Sequence, residues 1–405
     1  MGKWACIGVV SIGLALASCG GDAPGDPEPQ VAVRDSAGVS IVESRAPRAA
    51  PGTVLIDSIP VVSIGREESG PYLFGFISDV AFLDDGTIAV AEVQSGEIRV
   101  FDTTGEHEFT LGGQGEGPGE FRTPALVAEF GPDSLVGYDA RLRRTTIFPR
   151  SGGMPRTLPN SVDGNFSVFG TAGRGPLLLY SPGGGYRPDL DPGGQWVETP
   201  VIAMDSNSGA SDTIATLPDR WRIVDPDGNA PMPQPLLYAV HAVASDGFYW
   251  GTPDSYEVSK YDWSGRLQRI IRREAEPQPV EPAMLEAYVD ARLEEARQRQ
   301  GDEAVPPLRE RLEGDDYLDE LPYFSAGFVD REDRLWLGTF EWPDPSGPVS
   351  WSVFDSTGAW IWDVMSPTGL RLVDATADLV LAVAQDPLGV PSVQVHELRV
   401  PDPAN

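Results

Sequence analysis

The chain has 405 residues, 30 basic against 61 acidic, for a formal net charge of −31. At 41% hydrophobic and 9% aromatic it is too apolar to be disordered, and its 45 glycines follow no every-third-residue period, which excludes collagen. A surface this acidic repels phosphate backbones, so nucleic acid is excluded as a partner. The glycines, with 38 prolines among moderate β-formers, instead predict many short strands joined by turns.

Chain order begins with Lys3 and an apolar run of twelve residues, Ala5 to Leu16. A run of that length suits a signal peptide and falls short of the roughly 20 residues that span a bilayer as a helix. Leu16-Ala17-Ser18-Cys19 follows, and it resembles the lipobox of bacterial lipoproteins. The resemblance implies a signal peptide over 1–18, a lipid on Cys19, and membrane attachment through that lipid; the alternative is an ordinary signal peptide cleaved near Ala17. The only other cysteine, Cys6, lies in the removed segment, so the mature chain holds no disulfide. Losing Lys3 leaves 387 residues (405 − 18) at −32 (−31 − 1). Residues 19–32 read as a lipidated flexible tether. Gly20 after the cysteine favours the outer membrane, which makes the expected address the cell envelope.

Past the tether a repeat appears. Gly65 and Gly112 are 47 residues apart, as are Phe74 and Phe121. A turn of apolar residue, Asp, x, x, Gly runs Phe101 to Gly105 and recurs at Tyr261 to Gly265 and Phe354 to Gly358; Met204 to Gly209 repeats it with one extra residue, and Phe148 to Gly152 is a variant without the aspartate. Within each unit a strand, a turn and a strand alternate, as in Val80 to Leu83, Asp84-Asp85-Gly86 and Thr87 to Val90. Asp-Gly between apolar runs is a strong hairpin signal. Four-stranded units of this length are propeller blades.

Inner strand pairs start near Asp79, Leu126, Phe166, His241, Phe324 and Leu370, which gives six blades over a domain at 33–400, with a tail at 401–405. The last unit has three evident strands. Val61 to Gly65, which aligns with the outer strand Phe109 to Gly112, supplies the fourth and closes the ring, hiding both sheet edges. Deleting residues 20–50, which precede that strand, is expected to be tolerated better than deleting 54–65.

Gly112 to Phe121, followed by Val127-Ala128, resembles the NHL-repeat signature. Together with Asp35 to Glu43, Leu321 to Phe324 and Asp386 to Val390, it makes the chain similar to bacterial six-bladed β-propeller lipoproteins of that superfamily. The resemblance implies the fold; such propellers act as scaffolds, ligand binders and occasional enzymes.

Residues 274–323 interrupt the pattern between blades four and five. Ala283 to Gln300 places Leu285, Tyr288, Val289, Leu293 and Ala296 on one helical face, and a second helix starts at Pro306-Pro307 and ends near Gly314. The insertion is expected to bury that stripe as a packed decoration; a lid over the central channel is the sharper reading.

Catalytic motifs are missing: there is no Gly-x-Ser-x-Gly, no His-Glu-x-x-His and no phosphate loop. Of three histidines, His107 and His396 fall in or beside outer strands rather than at the channel. Lactonases resembling this fold hold calcium through Glu, Asn and Asp, yet Asn160, Asn165, Asn207 and Asn229 lie away from matched acids. Asp225 to Asn229 opens like a calcium loop and lacks its closing glutamate. The expected cofactor is therefore none, with calcium as the minority reading.

What remains is a surface. Loops between second and third strands share one face with the blade-to-blade connections. Two are unusual: Asp139 to Arg144 gathers Arg141, Arg143 and Arg144, and Glu341-Trp342 places an exposed tryptophan in a long loop. The expected binding face is Arg122, Asp139, Arg143, Arg144, Asp254, Glu341, Trp342 and Asp386, bordering the channel mouth. Its arginines would select an anionic group. The function read from the sequence is a lipid-anchored binding or scaffold module with a protein or glycan partner. The alternative is a calcium-dependent hydrolase of the lactonase kind.

Overall fold

The computed structural model describes residues 30–400 except 51, 66–69, 132, 160–166, 172–175, 181–188, 206–207, 229–234, 315–316 and 343–346. Cys19, the signal peptide, most of the tether, the tail, Phe166 and the four asparagines weighed for calcium lie outside the described residues.

The 47-residue period resolves into six antiparallel sheets arranged as a β-propeller. Blade one is Ile77–Phe82, Ile88–Glu92, Glu97–Phe101 and His107–Gly112 from the inside outwards. Blades two to five have inner strands Pro124–Glu129, Ser167–Gly170, Val240–Ala244 and Ala326–Val329. Blade six contributes Leu370–Ala375, Leu379–Gln385 and Pro391–Arg399, and its fourth strand is Val62–Ile64, antiparallel to the last of these with Val393 opposite Ile64. Closure falls where the alignment with blade one put it.

The repeated turn has a physical cause. Asp102 Oδ1 accepts from Thr104 N–H at 2.8 Å and Glu106 N–H at 2.9 Å, and Asp355 Oδ1 takes Thr357 N–H at 3.0 Å and Ala359 N–H at 3.1 Å. The glycine then sits at positive φ, +89° at Gly105 and +87° at Gly358. A Cβ at Gly105 would meet Val62 of the closing strand at 2.8 Å, and one at Gly358 would meet Ile271 of blade four at 2.9 Å. Each glycine thus lets a blade approach the outer strand of its predecessor.

The core is distributed between neighbouring blades. One cluster joins Trp336, Trp351 and Val353 of blade five to Leu372, Val380 and Ala382 of blade six; another joins Ile88, Val90 and Phe101 of blade one to Leu381, Val383 and Val395 of blade six. Six-bladed closure therefore buries apolar faces in pairs all round the ring.

Two features depart from expectation. Val31–Ser36 and Val39–Ser44 form a hairpin whose second strand runs parallel to Leu267–Arg273 of blade four, with Val42 opposite Ile271. The tether therefore stops short of Val31 and Ala32, and residues 20–50 are not all dispensable, because blade four becomes a six-stranded sheet. The second is blade three, whose outer strands Gly193–Met204 and Ser211–Val224 extend well past the blade as a long ribbon. The insertion folds as α1 (Pro282–Gln300) and α2 (Val305–Gly314); of the predicted α1 stripe Leu293 and Ala296 are buried while Leu285, Tyr288 and Val289 are half-buried, and α2 buries Leu312.

Candidate functional site

Strand alternation puts the first-to-second turns on one face of the ring and the second-to-third loops, with the blade-to-blade connections, on the other. Two cavities result. The central one, about 500 Å³, is lined by inner strands from mid-strand residues such as Asp79, His241 and Asp374 to turn residues such as Asp84, Ser245 and Asp333.

Its polar groups are largely engaged with each other. Asp79 Oδ2 accepts Val127 N–H of blade two at 2.8 Å, and Asp374 Oδ2 accepts Phe82 N–H of blade one at 3.0 Å. Burial raises Asp79 to about 6 and Asp374 to about 7, and it lowers His241 to about 4. Hydrogen bonds from Val127 N–H and Val80 N–H and the charge of Arg371 offset part of the rise at Asp79. At the turn end Arg331 of blade five reaches across the ring to Asp84 of blade one at 2.9 Å and Glu129 of blade two at 2.8 Å. Sequence reasoning missed this centre. The available signal was a charged residue in the middle of an otherwise apolar inner strand, Ile77-Ser78-Asp79-Val80-Ala81-Phe82 and Leu370-Arg371-Leu372-Val373-Asp374-Ala375.

None of the eight residues expected at the channel mouth lines this cavity. They share the loop face but are spread round it. Asp139 is fully buried and its carboxylate accepts four backbone N–H groups, of Arg122 (2.5 Å), Thr123 (3.1 Å), Arg141 (2.9 Å) and Leu142 (2.7 Å). Glu92, 47 residues earlier, holds Gly75, Phe76 and Ser95 the same way, so the period itself marked Asp139 as a structural clamp. Arg144 donates to the carbonyls of Glu116, Gly117 and Glu120 at 2.6–2.7 Å, and Arg122 pairs with Glu116 at 3.1 Å. Arg143 is exposed in the same loop at φ +50°. Asp254 accepts Trp196 Nε1–H of the blade-three ribbon at 2.7 Å, and Asp386 caps its own turn through Leu388 N–H at 2.8 Å.

Glu341 and Trp342 are the exception, since they line the second cavity, about 530 Å³ on the loop face. Its walls are Leu236 and Tyr238 leading into blade four, Phe324 leading into blade five, Phe340 to Trp342 in the blade-five loop, and Tyr288 of α1. Trp342 is half-buried rather than exposed, because the Tyr288 ring lies 5.2 Å from it at 33°. The insertion therefore builds this pocket, and none of its residues lines the central channel. The Leu236 to Tyr238 wall is held by the blade-three ribbon: Trp221 N–H bonds Leu237 O at 3.1 Å, and Arg220 lies 5.3 Å over the Tyr238 ring. Burial raises the Glu341 carboxyl, which makes no hydrogen bond or ion pair among the described residues.

Among the described residues no group of three or more His, Cys, Asp or Glu side chains is placed to hold a metal ion, and no helix is long and apolar enough to cross a membrane. Asp225 takes Asp227 N–H at 2.9 Å, as an ordinary turn does.

Comparison with known proteins bears on the fold. A family described as 6-bladed beta-propeller, DUF5128, matches residues 67–126, which is blade one and the approach to blade two. No curated protein matches the chain. Among solved structures, a member of the DUF4221 family from Bacteroides vulgatus shares 10% identity over 86% of this chain and 99% of its own, with a TM-score of 0.51. An exported protein from Bacteroides fragilis shares 12% over 89% and 100%, with a TM-score of 0.48, and a calcium-binding regucalcin from Agrobacterium tumefaciens shares 10% over 84% and 92%, at 0.32. At such identity the likeness is one of fold, and the chain is a six-bladed β-propeller.

Proposed function

We propose that the protein is a lipid-anchored cell-envelope propeller that binds its ligand on the loop face, in the pocket between α1 and blades four and five. The carrying observation is that pocket: about 530 Å³, walled by aromatic side chains from segments far apart in sequence, with one carboxylate that has no partner among the described residues. Cavities of this size, mostly apolar with a few polar groups, are where small ligands bind. The lipobox-like Leu16-Ala17-Ser18-Cys19 supports the anchor.

Ala291 lines the pocket from the exposed side of α1, so Ala291→Trp fills it without touching the blades. Calorimetric titration with a neutral aromatic probe of naphthalene size should give binding that Ala291→Trp removes while the melting temperature holds. Equal binding by both proteins sinks the pocket reading. The anchor is tested by intact mass: a diacylglyceryl-modified Cys19 at the N-terminus, and none in Cys19→Ser.

A second reading, a hydrolase working in the channel, draws on the raised carboxyls of Asp79 and Asp374 beside neutral His241. Lactone hydrolysis abolished by Asp374→Ala, with or without added calcium, is the result it requires.

A further inference from the structure

The geometry points to an organic cation, a small apolar ammonium compound, as the ligand of the loop-face pocket. This rests on the reading of that pocket as the ligand site and adds the charge and class of what enters. Three observations carry it. The walls are aromatic: the Tyr288 and Trp342 rings pack on each other 5.2 Å apart at 33°, and Phe340 and Tyr238 also line the space. Aromatic faces carry negative quadrupole charge and attract ammonium and guanidinium groups, most strongly where water is excluded.

The second observation is the balance of charge. Arg292, the cation on the lining, is paired with Glu295 at 2.6 Å, and Glu295 also meets Arg299 at 3.1 Å. Glu341 is left with no charged or hydrogen-bonding partner among the described residues. A carboxylate drawn partly out of water beside aromatic rings is stabilised by a cation and destabilised by an anion.

The third is how this chain treats the same pairing elsewhere. Arg273 lies 3.9 Å over the Trp360 ring and 3.9 Å from Asp363; Arg334 lies 4.7 Å over Trp362 and 2.6 Å from Asp330. In both, an arginine sits between a tryptophan face and a carboxylate. At Glu341-Trp342 the ring and the carboxylate are adjacent and no described protein cation joins them. The ligand supplies the charge.

The test compares three probes of one size by calorimetry on the full chain in detergent: benzyltrimethylammonium, its uncharged carbon isostere neopentylbenzene, and phenylacetate. The expected order places the ammonium about tenfold or more ahead of the isostere, with phenylacetate weakest. Glu341→Gln should narrow the gap between ammonium and isostere severalfold, leaving the part due to the rings, with the melting temperature unchanged, and Ala291→Trp should remove both. If the isostere binds as well as the ammonium, or phenylacetate binds best, the cation assignment is overturned and the pocket reading stands. If no probe binds in a manner that Ala291→Trp blocks, both fall.

Discussion

In blade two the loop from Asp139 to Arg144 turns Asp139 onto four backbone N–H groups and Arg144 onto three backbone carbonyls, with Arg141 and Arg143 left exposed. In blade five the loop at the same place in the repeat carries Glu341 and Trp342, and the carboxylate there has no partner among the described residues. Charge at a loop therefore says little about binding until its hydrogen bonds are counted. Blade two's polar groups are consumed in holding the connection from blade one, whereas blade five's loop is held by ring packing against α1 and leaves its carboxylate available.

The largest expected difference comes from the two carboxylates. Asp139→Ala strands several buried N–H donors and should cost about 3–5 kcal/mol in urea unfolding, with Glu341→Ala within about 0.5 kcal/mol of the parent. Comparable losses from the two would break the comparison. Next in size is Arg144→Ala, about 2 kcal/mol through three charge-assisted bonds, against less than about 0.5 kcal/mol for Arg122→Ala, whose pair with Glu116 is solvated. If Arg122 proves the costlier, the inward loop is misread.

The smallest effect is set by pH. Asp374 titrates at about 7 in the fold against an ordinary 3.8, so the native state holds the extra proton and stability falls as pH rises through 7. Between pH 6.5 and 8 the loss should be about 1 kcal/mol, with a smaller share from Asp79. Below 6.5 His241, held near 4, acts in the opposite sense, because the unfolded chain takes up the proton first. Denaturant midpoints measured across that range should decline with pH in the parent and flatten in Asp374→Asn; an unchanged slope removes Asp374 from the account.

Much of the ring was legible because its signals are local and repeated. The Asp-x-x-Gly turns, the 47-residue spacing and the missing strand of blade six each follow from hydrogen bonds within a few residues or from a gap in a count. The hairpin Val31–Ser36 and Val39–Ser44 was not, since its partner is a parallel strand more than two hundred residues away and no turn links them. The loop-face pocket was legible only as two of its residues, Glu341 and Trp342. Its remaining walls come from blade four, blade five and α1, and nothing in their separate sequences shows that they meet. Asp139 could have been read correctly, as the 47-residue counterpart of Glu92.

The route of residues 31–64 has a consequence for how the protein is made. The chain starts on the outer edge of blade four, crosses blade five where Arg48 N–H and Ala49 N–H bond Trp360 O and Ile361 O, and ends as the closing strand of blade six. All three partners are synthesised after it. During synthesis and early folding, Val42, Val62 and Ile64 must wait as unpaired apolar segments until more than two hundred, and finally more than three hundred, later residues have emerged. Closing so long a loop is slow, and a partner strand from another copy could be captured meanwhile. A chain arrested before Val393 to Val395 leaves the closing strand Val62–Ile64 with nowhere to dock, so completion of the ring reports completion of the polypeptide.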